Sequence, residues 1–590
     1  MNKSSSDSEA SARHLCATFS APLAPTLQGA LFELAPDSKC SDLLITASQL
    51  ASFDPEILAD IERDLNAHAL DKKRIRWENR RWIEDQSQEL IELPQEDMSM
   101  LKLEAGRPRM HPLAVLGLLL LRGWLGGAKH SRFEVILHES ISLRIFLHNL
   151  NQSLPGGSTI DENLNALSNA TRERIHKAQL ALALDEGLDD FSSLRIDSTH
   201  CASASAYPTD SGTLTKLVCR LCARMQNLKP VDLPALADDQ LEMLEEARKE
   251  TQVLNYRICT LTSSSALQAQ KAAEEELERL RAEHGANNEG DAAVPESPEK
   301  QASDANEESR KESPKNKLRR ELYEELYARS QATVEMLVPM LGLLTGLMSQ
   351  SLSTPQAQSR REAWLAAVEE DLQAVAAVIE QSQRRVCEGK KPSAKTRMPL
   401  SVSDPSASFI EKGGWERVFG YRPQCGFSGN GLITALLTPE GNVSDQIQLS
   451  AVVNKSIENT TVIPGTVTVD DGYTGASELI KVKAAGVEVV SFSGARGRVL
   501  LGEETWKDER YAQARRDRNG AESGISVLKG KVGFGQLSRT GIEAVRAEQL
   551  EKVLTVNTLK IVELRKRRYE QEQRASWSQG MMGKGKREVV

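Results

Sequence analysis

The chain has little that would place it outside a reducing compartment or in a bilayer. Eight cysteines are scattered over 590 residues. They imply no disulfide framework, and a reducing cytoplasm is the expected setting. Long hydrophobic runs are missing too. The longest, Leu113 to Leu121, stops at Arg122, short of the ~20 apolar residues that a bilayer core requires, so no segment reads as a membrane span. The N-terminus is polar and Ser-rich, without the apolar stretch of a signal peptide. Aromatic residues make up 4% against 40% hydrophobic, a balance that suits a soluble, helix-rich protein.

An excess of positive charge is also lacking, since the formal net charge is −9. Taken whole, that figure counts against a polyanionic partner, but the charge is unevenly spread. Residues 231–312 hold 9 Lys/Arg against 20 Asp/Glu, whereas residues 495–590 hold 21 against 13. Nucleic acid senses the field within about a Debye length. A basic C-terminal segment beside an acidic insert therefore leaves nucleic acid open as a partner.

At this length three or four folded units are expected. Residues 1–25 read as disordered, and residues 26–190 as a helical N-terminal region. Within it, Trp77 and Trp82 lie in or beside the charged stretch Lys72 to Arg81, which is either a phosphate contact or a solvated helix face. An apolar helical region from Met110 to Leu150 is interrupted at Gly126-Gly127. The loop Leu154 to Thr159 ends in a helix N-cap, with Asp161 and Glu162 in the first turn of a helix of roughly 25 residues. Ser192 to Asp197 is a short strand with Asp197 at its carboxyl end. Tyr207 to Ser211 is a turn and N-cap that opens a helical insertion, 212–399. Its long helices, 212–285 and 313–392, are joined through a linker, 283–317, rich in Glu, Ser, Pro and Asn and expected to be disordered.

After Pro399 the pattern becomes mixed. Trp415 to Tyr421 and Gly431 to Leu437 read as a hairpin, and a helix starts near Ser444 or Asp445. A strand (Thr466 to Asp470), a helix (Ala476 to Ala485), a strand (Val487 to Phe492) and a long basic helix (Trp506 to Lys529) follow. Residues 566–590 form a basic tail, with Arg565-Lys566-Arg567-Arg568 at its start. The expected fold is therefore α/β, a mixed sheet built from 191–211 and 400–565 with helical regions before and within it.

Among 83 acidic residues identity alone singles out none, and position has to do so. Asp197 and Asp470 each end an apolar strand, and the carboxyl ends of strands are where sites collect in open α/β sheets. If the two strands are neighbours, both carboxylates can reach one hard cation, which prefers oxygen ligands. On the following helix Arg518, Glu522 and Lys529 are spaced to share one stripe, within about 40° of each other at ~100° per residue. A carboxylate between two cations suits a metal site that also holds a polyanion. The same stripe is what a solvated helix with i,i+4 pairing would show. Arg515 and Lys531 extend the basic border. Gly494 to Arg498, a flexible basic loop, offers Arg496 and Arg498 as phosphate contacts or as a plain turn. Cys219 and Cys222 have zinc spacing but no second pair nearby, and His200-Cys201 beside Asp197 is more readily packing than ligation.

These motifs resemble the DDE transposases of bacterial insertion sequences. Arg518, Glu522 and Lys529 match the family's Arg-x3-Glu-x6-Lys signature. Val469 to Tyr473 is similar to its second acidic motif, with Asp470 rather than Asp471 as the acid. Arg195 to Thr199, with Tyr207 to Ser211 downstream, resembles the first. Phe419-Gly420-Tyr421 and Gly441 to Asp445 resemble the segments between them, and Leu154-Pro155 with Ser158-Thr159 the segment before the core. The resemblance covers 110–225 and 400–565 and is nearest to ISNCY-like elements. The Tyr of the signature falls at Arg515, so any role of its hydroxyl is absent.

The resemblance implies a ribonuclease-H-like core and two Mg2+ ions, with Mn2+ as a substitute, held by Asp197, Asp470 and Glu522. It also implies metal-dependent cleavage and strand transfer on double-stranded DNA, at terminal inverted repeats and at a target, by a homo-oligomer with no membrane partner. End recognition is expected in the N-terminal region, and phosphate contacts at Arg518, Lys529, Arg515, Lys531, Arg496 and Arg498. The alternatives are a nuclease on the same fold that performs no strand transfer, and a catalytically silent DNA-binding or scaffold protein.

Overall fold

The computed structural model describes residues 38–84, 109–125, 139–205, 208–231, 233–262, 314–350, 355–390, 401–412 and 416–584. The expected disorder of 1–25, the glycine interruption at 126–127 and most of the linker 283–317 lie outside them. So do the side chains of Trp77 and Trp82, although their backbone is helical. The chain forms two compact units, one of residues 1–206 with 406–590 and one of residues 207–405.

Among the described residues of the first unit six helices precede the sheet: α1 (Ser38–Phe53), α2 (Glu56–Glu84), α3 (Pro112–Trp124), α4 (Ile141–Asn149), α5 (Gly157–Ala166) and α6 (Asn169–Asp185). The apolar run from Leu113 to Leu121 is buried throughout α3, as expected of a helix hydrophobic on every side. The helix expected after Pro155 is two. It begins at Gly157, and a break at Leu167-Ser168 lets the Ser168 hydroxyl cap α6 by accepting from Thr171 N.

Two sheets follow. Their strands are β1 (Ser193–Ser198), β2 (Cys201–Ala202), β3 (Ser408–Lys412), β4 (Glu416–Tyr421), β5 (Gln424–Ser428), β6 (Ile433–Leu437), β7 (Thr466–Val469) and β8 (Val489–Phe492). The main sheet has the order β6-β5-β1-β7-β8, and β2-β4-β3 form a smaller one. In the main sheet β1 runs antiparallel to β5 and parallel to β7, and β7 runs parallel to β8. The hairpin expected between 415–421 and 431–437 is therefore different. The partner of β6 is β5 (QCGFS) across the turn at Gly429 to Gly431, while β4 pairs with β3 in the other sheet. Strand β5 is buried at every position, so it lacks the alternation by which a half-exposed strand is recognised.

One face of the main sheet is sealed by Leu449, Val452 and Val453 of the helix Leu449–Thr460, packed on Leu194, Ile196, Val467 and Val490. The basic helix expected over 506–529 is three elements: Glu503–Lys507, Glu509–Asp517 and Asn519–Val532. Arg518 joins the last two with helical angles. The expected flexible loop at Gly494 to Arg498 is instead the start of the short helix Ala495–Leu501.

The last helix, Ile542–Lys584, continues through the basic tail. Its run of cations is tied down: Arg565 pairs with Glu186, Lys566 with Asp42 at 3.1 Å, Arg567 with Glu563, and Arg568 donates to the Glu186 carbonyl. This helix packs so closely on α3 that a Cβ on Gly123 would come within 2.2 Å of Thr555 Oγ1 and 2.5 Å of the Glu551 carbonyl oxygen. Glu551, 1% exposed, accepts from Arg122 at 2.7 Å, Arg172 at 2.8 Å and Arg539 at 2.9 Å.

The second unit is helical: Asp210–Gln226, Asp238–Thr262, Pro314–Gln350 and Pro355–Val386. Two long helices were expected, and four are found among the described residues. Pro230 and Pro234 lie in the first break, and Pro355, at a helix N-terminus where its missing N–H costs nothing, follows the second. Residues 314–317, at the edge of the expected linker, open the third helix. Leu214, Leu217, Val218 and Leu221 form a stripe at helical spacing that meets Leu322, Leu326, Val375 and Val378 in one core. Asp371, 1% exposed in this unit, is neutralised by Arg220 and Arg224. By length and composition the helix over 316–349 is apolar enough to cross a membrane, a correction to the reading that no segment is. Its Leu322, Leu326, Leu337, Met340 and Leu344 are packed in the core of the unit.

Candidate active site

The parallel register of β1 on β7 sets Arg195 opposite Thr468. Two residues further on, past the end of the pairing, stand Asp197 and Asp470. Side chains two apart on a strand share a face, so both carboxylates leave the same side of the sheet at its carboxyl edge. The backbone turns sharply there. Asp470 Oδ1 accepts from Gly472 N at 2.8 Å and caps the 3-10 turn Asp471–Tyr473, and Asp197 Oδ1 accepts from Ser198 N at 2.8 Å. Among the described residues the second oxygen of each has no hydrogen-bond donor.

The two acids sense each other. Burial, and next the charge of Asp470, push the Asp197 carboxyl up to about 6, while the Ser198 N–H and Arg518 pull the other way. Asp470 is also raised, by burial first and then by Asp445, against the Gly472 N–H, Arg518 and Arg422. Two desolvated carboxylates without a paired cation are an arrangement that a bound cation would relieve.

Glu522 arrives from the helix Asn519–Val532. Gly520 and Gly524 let this helix lie flat on the sheet, since a Cβ on Gly524 would meet the Phe427 ring at 2.5 Å and one on Gly520 the Arg195 guanidinium at 2.3 Å. With the glycines turned inward, Glu522, Ile525 and Lys529 face a cleft of about 400 Å³ that is also lined by Asp197, Ser198, His200, Glu411 and Arg422. Glu522 is 58% exposed and pairs with Arg518 at 3.2 Å, the i,i+4 contact of a solvated helix. Its charge still contributes to the raised affinity of Asp197 for a proton. Among the described residues no three His, Cys, Asp or Glu side chains stand close enough to hold a metal as they are. The donor set does suit a hard divalent ion, being carboxylate oxygen throughout.

The other residues marked in the sequence are dispersed. Arg518 lies beside both aspartates, and Lys529 lines the cleft. Lys531 faces a separate cavity of about 140 Å³ with Phe427, Val556 and Lys560. The Arg515 guanidinium stacks on Trp506 at 3.9 Å and donates to its carbonyl at 2.7 Å. Arg496 and Arg498, both more than half exposed, pair with Asp471 and Glu503. Asp471 itself accepts from the backbone of Arg496 at 3.1 Å and of Gly497 at 2.8 Å, and so anchors that short helix. Cys201 and Cys222 are buried, their thiols pushed up to about 12 chiefly by burial.

Four residues passed over in the sequence as chemistry border the acids. Asp445, 6% exposed, accepts from Arg422, from Ser198 Oγ at 3.1 Å and from Gln424 Nε2 at 2.8 Å, and Gln424 in turn accepts from the Tyr473 hydroxyl. This chain of hydrogen bonds links the residue after Asp197 to the turn after Asp470. One signal for Arg422 was legible: Pro423 confines the residue before it to extended backbone, at the crossing from one sheet to the other.

Residues 383–558 match the family model described as Transposase DDE domain. The matched stretch contains Asp470 and Glu522, and Asp197 precedes it. No curated protein and no solved structure matches the chain. The match places a transposase DDE domain within these residues, and it supports a reading of the chain as a DDE-type insertion-sequence transposase.

Proposed function

We propose that this transposase binds the terminal inverted repeats of its element and carries out metal-dependent DNA cleavage and strand transfer, with Asp197, Asp470 and Glu522 as the acidic triad of a ribonuclease-H-like core. The observation that carries the reading is the position of Asp197 and Asp470 at the ends of neighbouring parallel strands, with Glu522 lining the cleft above Asp197. The strand order, with β1 central, two antiparallel strands on one side and two parallel strands on the other, supports the fold assignment.

The three carboxylates would hold divalent ions, Mg2+ with Mn2+ as a substitute, which when bound activate the attacking oxygen and stabilise the leaving one. The chain itself supplies position and charge. Asp197, which lines the cleft, and Asp470 on the neighbouring strand each keep one oxygen without a donor among the described residues. Glu522 sits on the exposed rim, paired with Arg518, and would have to leave that pair to hold an ion. Arg518, released from that pair, and Lys529 then face the phosphates on either side of the acid. Arg496 and Arg498 extend this basic border, while Arg515, stacked on Trp506, and Lys531, in a separate cavity, would reach DNA only by leaving those places. The N-terminal helices are assigned to end recognition, and a homo-oligomer on DNA is the expected assembly.

The test uses the full chain with a plasmid carrying its gene and flanking DNA, in Mg2+ or Mn2+. Wild type should nick the DNA and join a pre-cut 3′-OH end to a second plasmid. Glu522→Gln should abolish both while retaining DNA binding. Full cleavage by Glu522→Gln, or cleavage in chelator, would sink the assignment. Nicking without joining would favour a nuclease.

A further inference from the structure

We propose that Arg422 is a phosphate-binding residue of the cleft, held in one orientation by Asp445, and that it grips the DNA strand beside the bond to be cut. This rests on the transposase reading and deepens it.

Arg422 lies between the two sheets, after β4 and before β5. One edge of its guanidinium is committed. Nε donates to Ser198 Oγ at 3.4 Å, and Nη2 donates to Asp445. The remaining nitrogen, Nη1, makes no hydrogen bond among the described residues, and the side chain lines the same cleft as Asp197, Glu522 and Lys529. A planar guanidinium with one edge pinned and another donor open is suited to a phosphate oxygen, because the fork need not be ordered when the ligand arrives. Its charge reaches Asp470 as well, so a phosphate held there lies beside the acids.

Asp445 is the positioning residue. Both its oxygens are occupied by donors of the chain, from Gln424 on one and from Ser198 and Arg422 on the other. It therefore has little left to offer a metal ion and acts as an anchor for the arginine. Gln424 is fixed in turn by Tyr473, in the turn that follows Asp470. Arg422 is thus referenced to both acidic strands through hydrogen bonds alone.

The experiment measures two quantities on the full chain. One is the salt dependence of binding to a 40-base-pair duplex without metal. The other is the rate of nicking of the plasmid described above. Arg422→Gln should reduce the log–log salt slope by about 0.9, one phosphate contact, and slow nicking roughly ten- to hundredfold, as for loss of a charged hydrogen bond. Arg422→Lys should keep the slope, since the charge remains, and still nick more slowly, since the pinned fork is gone. Asp445→Asn should behave like Arg422→Lys, with charge retained and orientation lost, whereas a purely structural aspartate would leave the rate of folded enzyme unchanged. Wild-type slope and rate in Arg422→Gln, with only the melting temperature lowered, would overturn the proposal. If that variant does not fold, a wild-type rate in Arg422→Lys overturns it equally. Glu522→Gln run in parallel separates the two readings. A wild-type protein that fails to nick refutes the transposase mechanism, while the salt slope still decides Arg422.

Discussion

Gly123 of α3 lies against the backbone carbonyl of Glu551, so at this point α3 and the last helix approach without a Cβ from α3 between them. Gly123→Ala should place a methyl group 2.2 Å from Thr555 Oγ1 and 2.5 Å from that carbonyl. Overpacking of this kind costs about 1–3 kcal/mol. The denaturant midpoint of the variant should fall accordingly, and an unchanged midpoint would mean that the helices do not pack this way.

Glu551 carries the electrostatics of the same junction. Although burial raises it, the guanidiniums of Arg122, Arg539 and Arg172 hold its carboxyl down at about 2. A carboxyl depressed in the fold contributes stability that is present above about pH 4.5, its unfolded value, and is lost as pH falls toward 2. Glu551→Gln leaves buried arginines without their counter-charge and should cost about 3–5 kcal/mol at neutral pH. Equilibrium unfolding of both proteins between pH 7 and 3 checks it, since the gap should narrow on acidification.

His176 sets a second, higher window. Burial lowers its imidazole to about 4, and Nε2 donates to the Ile433 carbonyl at 2.7 Å. The folded state therefore holds the neutral ring, while the unfolded chain takes up a proton below about 6.5. Stability should decline as pH falls from 6.5 toward 4, by about 2 kcal/mol at pH 5. His176→Gln, which keeps a donor for Ile433, should flatten stability between pH 7 and 5. An unaltered slope would remove His176 as its source.

Arg518 and Lys529 face the acids, whereas Arg515 is stacked on Trp506. Alanine at Arg518 or Lys529 should each lower the salt slope of DNA binding by about 0.9. Alanine at Arg515 should mainly lower thermal stability, by roughly 0.5–2 kcal/mol for the lost cation–π contact. A large slope change at Arg515 would show that it leaves Trp506 to meet DNA.

How much of this was legible depended on whether the signal was local. The ends of β1 and β7 were readable because an apolar strand stopping at a carboxylate is a short-range pattern, and Thr209 announced its helix as a capping residue should. Strand β5 was not readable, because burial on both faces erases alternation. One of its two partners also lies far away in sequence, with Asp197 opposite Cys425. The cluster of Arg422, Gln424, Asp445 and Tyr473 was hidden for a related reason. None of those four residues is unusual in its own neighbourhood, and only the crossing between sheets brings them together. The break at Arg518 went unseen because its angles remain helical and no proline interrupts the pattern there.

The excursion from residue 207 to residue 405 separates β1 from the strands on both of its edges. During synthesis β1 leaves the ribosome with neither neighbour made, and its hydrogen-bonding edges stay open until β5 and β7 follow, a long-range closure that is slow to complete. The cleft that Asp197 and Glu522 line is therefore completed late in translation. Products that end before β5 carry β1 with both edges unpaired, which makes such fragments substrates for proteolysis and aggregation.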